Sequence, residues 1–256
     1  ARWYESRNGQ GTRLAYRNEL SSRTDPVLRA ATRATIMFDM QLLVHKKRES
    51  LRQGVLQMGA LVVEALRKSI DCLRRHDAEL ASQIVAEDQP INQHRRMLEQ
   101  EGLVVLAAHQ PAGRDLREIG ASLELVSELE RIADYAADVA EIVIGSEEEA
   151  LPDEPRRQIV RLAEEATGMV TDALAAYAEN DVDKARSAAE RDDAVDREEK
   201  EIIAVLITLM QGDGGFAGAC AHLLWAVHIY ERVADRATNI AERVVFIDTG
   251  KTPDLD

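Results

Sequence analysis

Residues 128–141 read Glu128-Leu-Glu-Arg-Ile-Ala-Asp-Tyr-Ala-Ala-Asp-Val-Ala-Glu141, and residues 229–242 read Ile229-Tyr-Glu-Arg-Val-Ala-Asp-Arg-Ala-Thr-Asn-Ile-Ala-Glu242. At an offset of 101 residues, Glu130, Arg131, Ala133, Asp134, Ala136, Ala140 and Glu141 recur as Glu231, Arg232, Ala234, Asp235, Ala237, Ala241 and Glu242. Shared periodicity alone would not return the same acids in the same phase, so the chain carries an internal duplication. Within the first copy, Leu125, Leu129, Ile132, Ala136, Val139 and Val143 step by three or four residues. That spacing predicts an amphipathic helix with one apolar seam.

Working outward, the helical pattern covers almost everything after His45. Leu51, Val55, Met58, Val62, Leu66 and Ile70 form the stripe of a first helix, which stops at His76–Asp77. A second runs to about Ala108, with Pro90 inside it and a kink or local break expected there. Its apolar run Leu103–Ala108 has the length of a core segment. Pro111 and Gly113 precede a third helix, from about Arg114 to Ile144. Gly145 to Pro155, rich in Glu and holding two Pro, reads as a linker. A fourth helix then spans about Pro155 to Glu179, a turn and cap fall at Asn180–Asp181, and a fifth runs from Val182 to about Met210. Four glycines between Gly212 and Gly218 precede the sixth, from about Ala219 to Ile247. The fold expected is all-α: two tandem three-helix bundles joined by a short linker, with repeats at 45–147 and 154–251.

Composition agrees. The 256 residues hold 45% hydrophobic and 30% charged side chains but only 4% aromatic, the balance of long amphipathic helices. A net charge of −14 argues against nucleic acid as a partner. No run of about 18 apolar residues exists to span a bilayer. Cys72 and Cys220 cannot build a disulfide framework or a thiolate zinc site, and as buried free thiols they suit a reducing cytoplasm. Residues 1–44 differ from the rest. Seven Arg and no Lys occupy the first 36 positions, without the apolar core of a secretory signal. This stretch reads as a basic amino-terminal extension, either poorly ordered, a misassigned start, or a docking arm.

The repeated acids carry the functional signal. Glu130 and Asp134 are four apart and emerge on one helix face, as do Glu231 and Asp235. Asp138 extends the first stripe and Asn239 the second. On the preceding helices, Asp88 and Asn92 fall against Asp192 and Asp196. Like charges four apart destabilise a helix by a few tenths of a kcal/mol unless solvent or a cation offsets them. Oxygen-rich clusters of this kind suit Mg, Mn, Fe or Zn. A solvated, metal-free face is the competing reading, and Arg131 and Arg232 could instead pair with neighbouring acids. None of the six histidines has Glu three residues before it, which counts against a carboxylate-bridged di-iron enzyme. His222 and His228 read as core or surface residues, and no catalytic constellation is evident.

The residues then resemble a known family. Glu-Arg-x-Ala-Asp at 130–134 and 231–235, His109-Gln-Pro-Ala-Gly-Arg-Asp-Leu-Arg117, Ala237-Thr-Asn-Ile-Ala-Glu242, Thr249-Gly-Lys251, and Met58-Gly59 with Val62 and Val63 are similar to motifs of the PhoU family. The likeness spans about residues 45–251. It implies tandem three-helix bundles binding multinuclear metal clusters through Glu130, Asp134, Glu231 and Asp235, with Asp192 and Asp196 as further ligands. Asn92 makes the first-half site weaker or empty. The resemblance also implies a cytoplasmic, non-enzymatic homodimer that reaches the membrane only through its partners. Those partners would be the ATPase of a phosphate ABC transporter and a sensor histidine kinase, both restrained when phosphate is plentiful.

Overall fold

The structure is a computed structural model and describes residues 26–146, 153–212 and 214–255. Helix α1 spans Pro26–Arg75, α2 Ala78–His109, α3 Gly113–Gly145, α4 Asp153–Glu179, α5 Val182–Ala189, α6 Asp192–Gly212 and α7 Ala217–Thr249, with a single 3₁₀ turn at Gly214–Phe216. No strand occurs among the described residues. By their contacts the residues form two compact units, 1–46 and 47–256. The first unit contributes the amino-terminal part of α1, which begins at Pro26, inside the stretch expected to be an extension; residues 1–25 of that stretch lie outside the described residues. Most of the expected linker, 147–152, lies outside them too. The second unit holds both copies of the duplicated acids.

The two apolar seams read from sequence are buried, from Leu51 to Ile70 on α1 and from Leu125 to Val143 on α3. They belong to one core that runs through both repeats, so the two bundles lie side by side. Helix α3 packs against both α2 and α7, while α7 also packs against α4, α5 and α6. At Gly59 a Cβ would come within 2.8 Å of Leu174 Cδ1, so this glycine lets α1 approach α4 closely. Two buried hydroxyl pairs cross between the repeats, Tyr177 with Ser122 at 2.8 Å and Tyr230 with Ser69 at 3.0 Å.

Helix ends repeat with the same fidelity as the acids. His76 and Asn180, 104 residues apart, both adopt positive φ (52° and 53°). The next residue in each copy caps the following helix: Asp77 accepts from Leu80 N at 2.9 Å, and Asp181 from Lys184 N at 3.0 Å.

Three expectations are corrected. Helix α2 runs unbroken past Pro90. Pro90 and Ala86, whose carbonyl loses its bond, are both exposed, so that carbonyl is open to solvent. The interruption falls instead in the second repeat, where the expected fifth helix divides at Glu190–Arg191 into α5 and α6. Arg191 is held there by Glu165 and Asp172, each at 2.6 Å. Lastly, Leu103–Ala108 is not a core run: Val105 is buried, but Leu103 and Val104 are 61% and 56% exposed. A six-residue apolar run on a helix surveys more than one turn, so part of it must face outward.

Candidate metal centre

Each repeat sets its acids where its second and third helices meet. In the first, α2 supplies Asp88 and Asn92, and α3 supplies Glu130, Asp134 and Asp138. The Asp134 carboxyl is pushed up to about 6, first by burial and then by the charges of Glu130 and Asp88, with Arg131 opposing. Burial and the charge of Glu141 also raise Asp138. Asn92 Nδ2 donates to Asp88 Oδ2 at 2.6 Å. Arg95, one turn further along α2, places Nε 3.6 Å from Glu130 Oε1 and its other arm 3.0 Å from Glu99. Two buried atoms of this face lack a hydrogen-bond partner, Asp88 Oδ1 and Arg95 Nε.

The second face has the same frame and different chemistry. Asp192, buried in the first turn of α6, and Asp196 are joined by Glu199 from the next turn. From α7 come Glu231 and Asp235. The Glu231 carboxyl is pushed up to about 7, by burial first and then by Asp235, Glu199, Asp196 and Asp192. These four neighbouring carboxylates all disfavour its charge, and its buried Oε2 has no hydrogen-bond partner. His228, expected as a core or surface residue, lies against the cluster with Nδ1 3.3 Å from Glu199 Oε1 and 3.5 Å from Glu231 Oε2. Glu199, His228 and Glu231 offer ligand atoms within 4.8 Å of one another.

Glu199 and His228 are the members of this cluster that sequence reasoning did not place in it, although His228 is exposed, within the core-or-surface reading. A signal for Glu199 existed: it is seven residues past Asp192 and so on the same helix face. His228 stands three residues before Glu231, the reverse of the Glu-x-x-His order of the di-iron enzymes, and an i, i+3 pair meets on a helix in either order.

Other members of the expected set go elsewhere. Asn239 donates to Glu128 of α3 at 3.3 Å, where Arg236 joins it at 3.3 Å. Asp138 remains close enough to raise Asp134 and also lines a cleft with Glu141, Trp225 and His228. Arg232 does not neutralise the second face. Its Nε donates to Tyr135 OH at 2.9 Å and its guanidinium lies over that ring. Arg131 reaches Glu130 only at 4.0 Å and is largely exposed.

The donor sets differ in fitness for a cation. Five carboxylates and an imidazole, with a buried oxygen left without a hydrogen bond, fit Mn, Fe, Zn or Mg on the second face. The first face, with a carboxamide in place of Asp196 and a guanidinium in place of Glu199, does not fit as well.

Comparison with known proteins reaches the same helices. The PhoU domain model matches twice, over residues 55–143 and 159–244. A Rhizobium meliloti protein named phosphate-specific transport system accessory protein PhoU homolog is 32% identical over 79% of this chain and 86% of its own length. The Pseudomonas aeruginosa homolog of the same name is 36% identical over 79% of this chain and 84% of its own. Among solved structures, PhoU from Pseudomonas aeruginosa superposes with a TM-score of 0.78 at 35% identity, covering 81% of this chain and 99% of that one. The phosphate transport system regulatory protein PhoU from Streptococcus pneumoniae gives 0.75 at 29% identity, over 84% and 99%. The duplicated helices, their shared caps and these matches make the chain a member of the PhoU family.

Proposed function

We propose that this chain is an accessory regulator of a phosphate transport system, a non-catalytic helical adaptor acting through protein contacts. Its relatives' names support the setting. In that reading it is cytoplasmic and restrains both the ATPase of a phosphate ABC transporter and a sensor histidine kinase when phosphate is abundant. Among the described residues no helix is long and apolar enough to cross a membrane. In the proposed reading the membrane is reached through partners. Exposed Met97, Leu103, Val104 and Ile207 on α2 and α6 offer apolar surface for a homodimer.

The observation that carries the metal part is the buried Oε2 of Glu231, without a hydrogen-bond partner among four more carboxylates and His228. A divalent cation there would be held by Glu231, Asp235, Glu199, Asp192, Asp196 and His228, and would supply positive charge that fixes α6 against α7. The residues themselves orient the docking face. A metal-free scaffold is the second reading, favoured by the ion pairs Arg95–Glu130 and Lys200–Asp196, the latter at 3.1 Å.

Cross-linked pull-down from phosphate-replete cells tests both, comparing wild type with Asp134→Ala/Asp235→Ala. A transporter ATPase or sensor kinase recovered with wild type and lost with the variant supports metal-shaped docking. Recovery with both keeps the regulator and discards the metal's role. Recovery with neither removes the proposed function.

A further inference from the structure

The duplication allows each position of one face to be compared with its counterpart. At the offset of 104 residues that pairs Asp88 with Asp192, Asn92 pairs with Asp196 and Arg95 with Glu199. At the offset of 101 that pairs Glu130 with Glu231, Ser127 pairs with His228. The first face has therefore exchanged a carboxylate for an amide, a second carboxylate for a guanidinium, and an imidazole for a hydroxyl. Each of these three exchanges removes a metal donor or adds a positive charge, whereas Asp138 against Asn239, one turn away, runs the other way. The three are concentrated where Glu199 and His228 meet Glu231 in the other copy.

We propose that Arg95 is the built-in counter-cation of the first repeat, standing where the second repeat would hold a metal, so that metal binding by this chain is confined to the face of Glu199, Glu231 and Asp235. The guanidinium is tethered to the same α2–α3 seam that a metal would bridge, with Glu130 on α3 and Glu99 on α2 as its anionic partners. The buried atoms without a hydrogen bond on the two faces agree with this. In the first repeat they are of opposite sign, Asp88 Oδ1 and Arg95 Nε, seven residues apart on one helix face. In the second, Glu231 Oε2, without a hydrogen bond, lies among carboxylates and beside the His228 imidazole. A fixed guanidinium also repels a divalent cation, so it works against a metal at this face.

The part that concerns the second face rests on the metal reading of the proposed function, and the test separates the two. Mn²⁺ binding to the full chain is measured by equilibrium dialysis with electron paramagnetic resonance, helicity being checked by circular dichroism. Glu231→Gln/Asp235→Asn is expected to lose Mn²⁺ binding by tenfold or more. Adding Asn92→Asp/Arg95→Glu to that background is expected to create a new site, with Asn92→Asp/Arg95→Gln as the milder form if the double acid does not fold. Retention of Mn²⁺ by Glu231→Gln/Asp235→Asn, lost only on further replacement of Glu130 and Asp134, would overturn the inference.

If no protein in the set binds Mn²⁺, the metal reading fails and Arg95 is judged on chelator-treated protein. Arg95→Gln should then melt about 2–4 °C lower than wild type, the shift of an ion pair worth about 1 kcal/mol in a chain of this size. Arg95→Lys should recover part of that loss, and Glu130→Gln should abolish the effect of Arg95→Gln. A loss indifferent to Glu130, or no loss, sinks the counter-cation role.

Discussion

The Tyr230 hydroxyl donates to Ser69 Oγ across the repeat boundary, at 3.0 Å, because the serine's own proton is committed to the Leu66 carbonyl at 2.8 Å. Tyr177 and Ser122 repeat the arrangement, with Ser122 donating to the Glu118 carbonyl at 2.7 Å. Burial raises the Tyr177 phenol to about 12 and Tyr230 higher than its ordinary value, with the serine hydrogen bond opposing in each. Donor and acceptor are thereby assigned, and their loss should be unequal. Ser69→Ala strands a fully buried phenolic O–H and should cost about 1–3 kcal/mol, whereas Tyr230→Phe removes the donor and should cost about 0.5–1.5 kcal/mol. Chemical denaturation of both variants checks the order.

Acidity should stabilise the chelator-treated protein over part of the pH range. Glu231 and Asp134 have folded values near 7 and 6, above their ordinary carboxylate values of 4.5 and 3.8. The folded state thus holds protons that the unfolded chain has released. Their contribution is complete below the unfolded values and disappears as pH rises through 6 and 7. The melting temperature is expected to fall between pH 5 and pH 8, with a shallower slope in Glu231→Gln. Scanning calorimetry across that window reads it; a rising curve would contradict the crowding of carboxylates around Glu231.

A bound divalent cation should reverse that loss. At a free concentration of about 100 times its dissociation constant, a ligand specific to the folded state adds about 2.7 kcal/mol. Thermal shift of chelator-treated protein with Mn²⁺, Zn²⁺ and Mg²⁺ is expected to show stabilisation in wild type and none in Glu231→Gln/Asp235→Asn.

The paired helix caps give a control remote from the acids. Asp77→Ala and Asp181→Ala each lose one side-chain bond to a helix amide and should cost about 1 kcal/mol, or a melting shift of about 2–4 °C. Asn should restore most of it in both copies.

The sequence carried the helices because their signals are local. A stripe such as Leu51 to Ile70, or a cap such as Asp181, is set by spacing and by the backbone next to it. The division at Glu190–Arg191 was not legible, since Arg191 is fixed by Glu165 and Asp172 on another helix. The site divides the same way. That Glu130 and Asp134, and Glu231 and Asp235, share a face follows from phase on one helix. Glu199 and His228 also share a face with Asp192 and Glu231, but their meeting across the seam, like that of Arg95 with Glu130, depends on how two helices pack. Asn239 has the expected phase, and its amide donates to Glu128 on α3, a contact that spacing along one helix does not reveal.

The core that passes unbroken through both repeats bears on how this chain can be dissected. Tyr177 and Tyr230 each fill the interior of the whole while reaching a serine in the other repeat. A polypeptide ending at Ser146 would leave Ser122 without its donor and the α1 and α3 seams open to water. Its complement would carry two phenols into solvent. Expressed apart, the halves should be insoluble or should recover their structure only by finding one another. A fragment corresponding to one family domain is therefore the wrong unit for this protein, and the two sequence repeats unfold as one body.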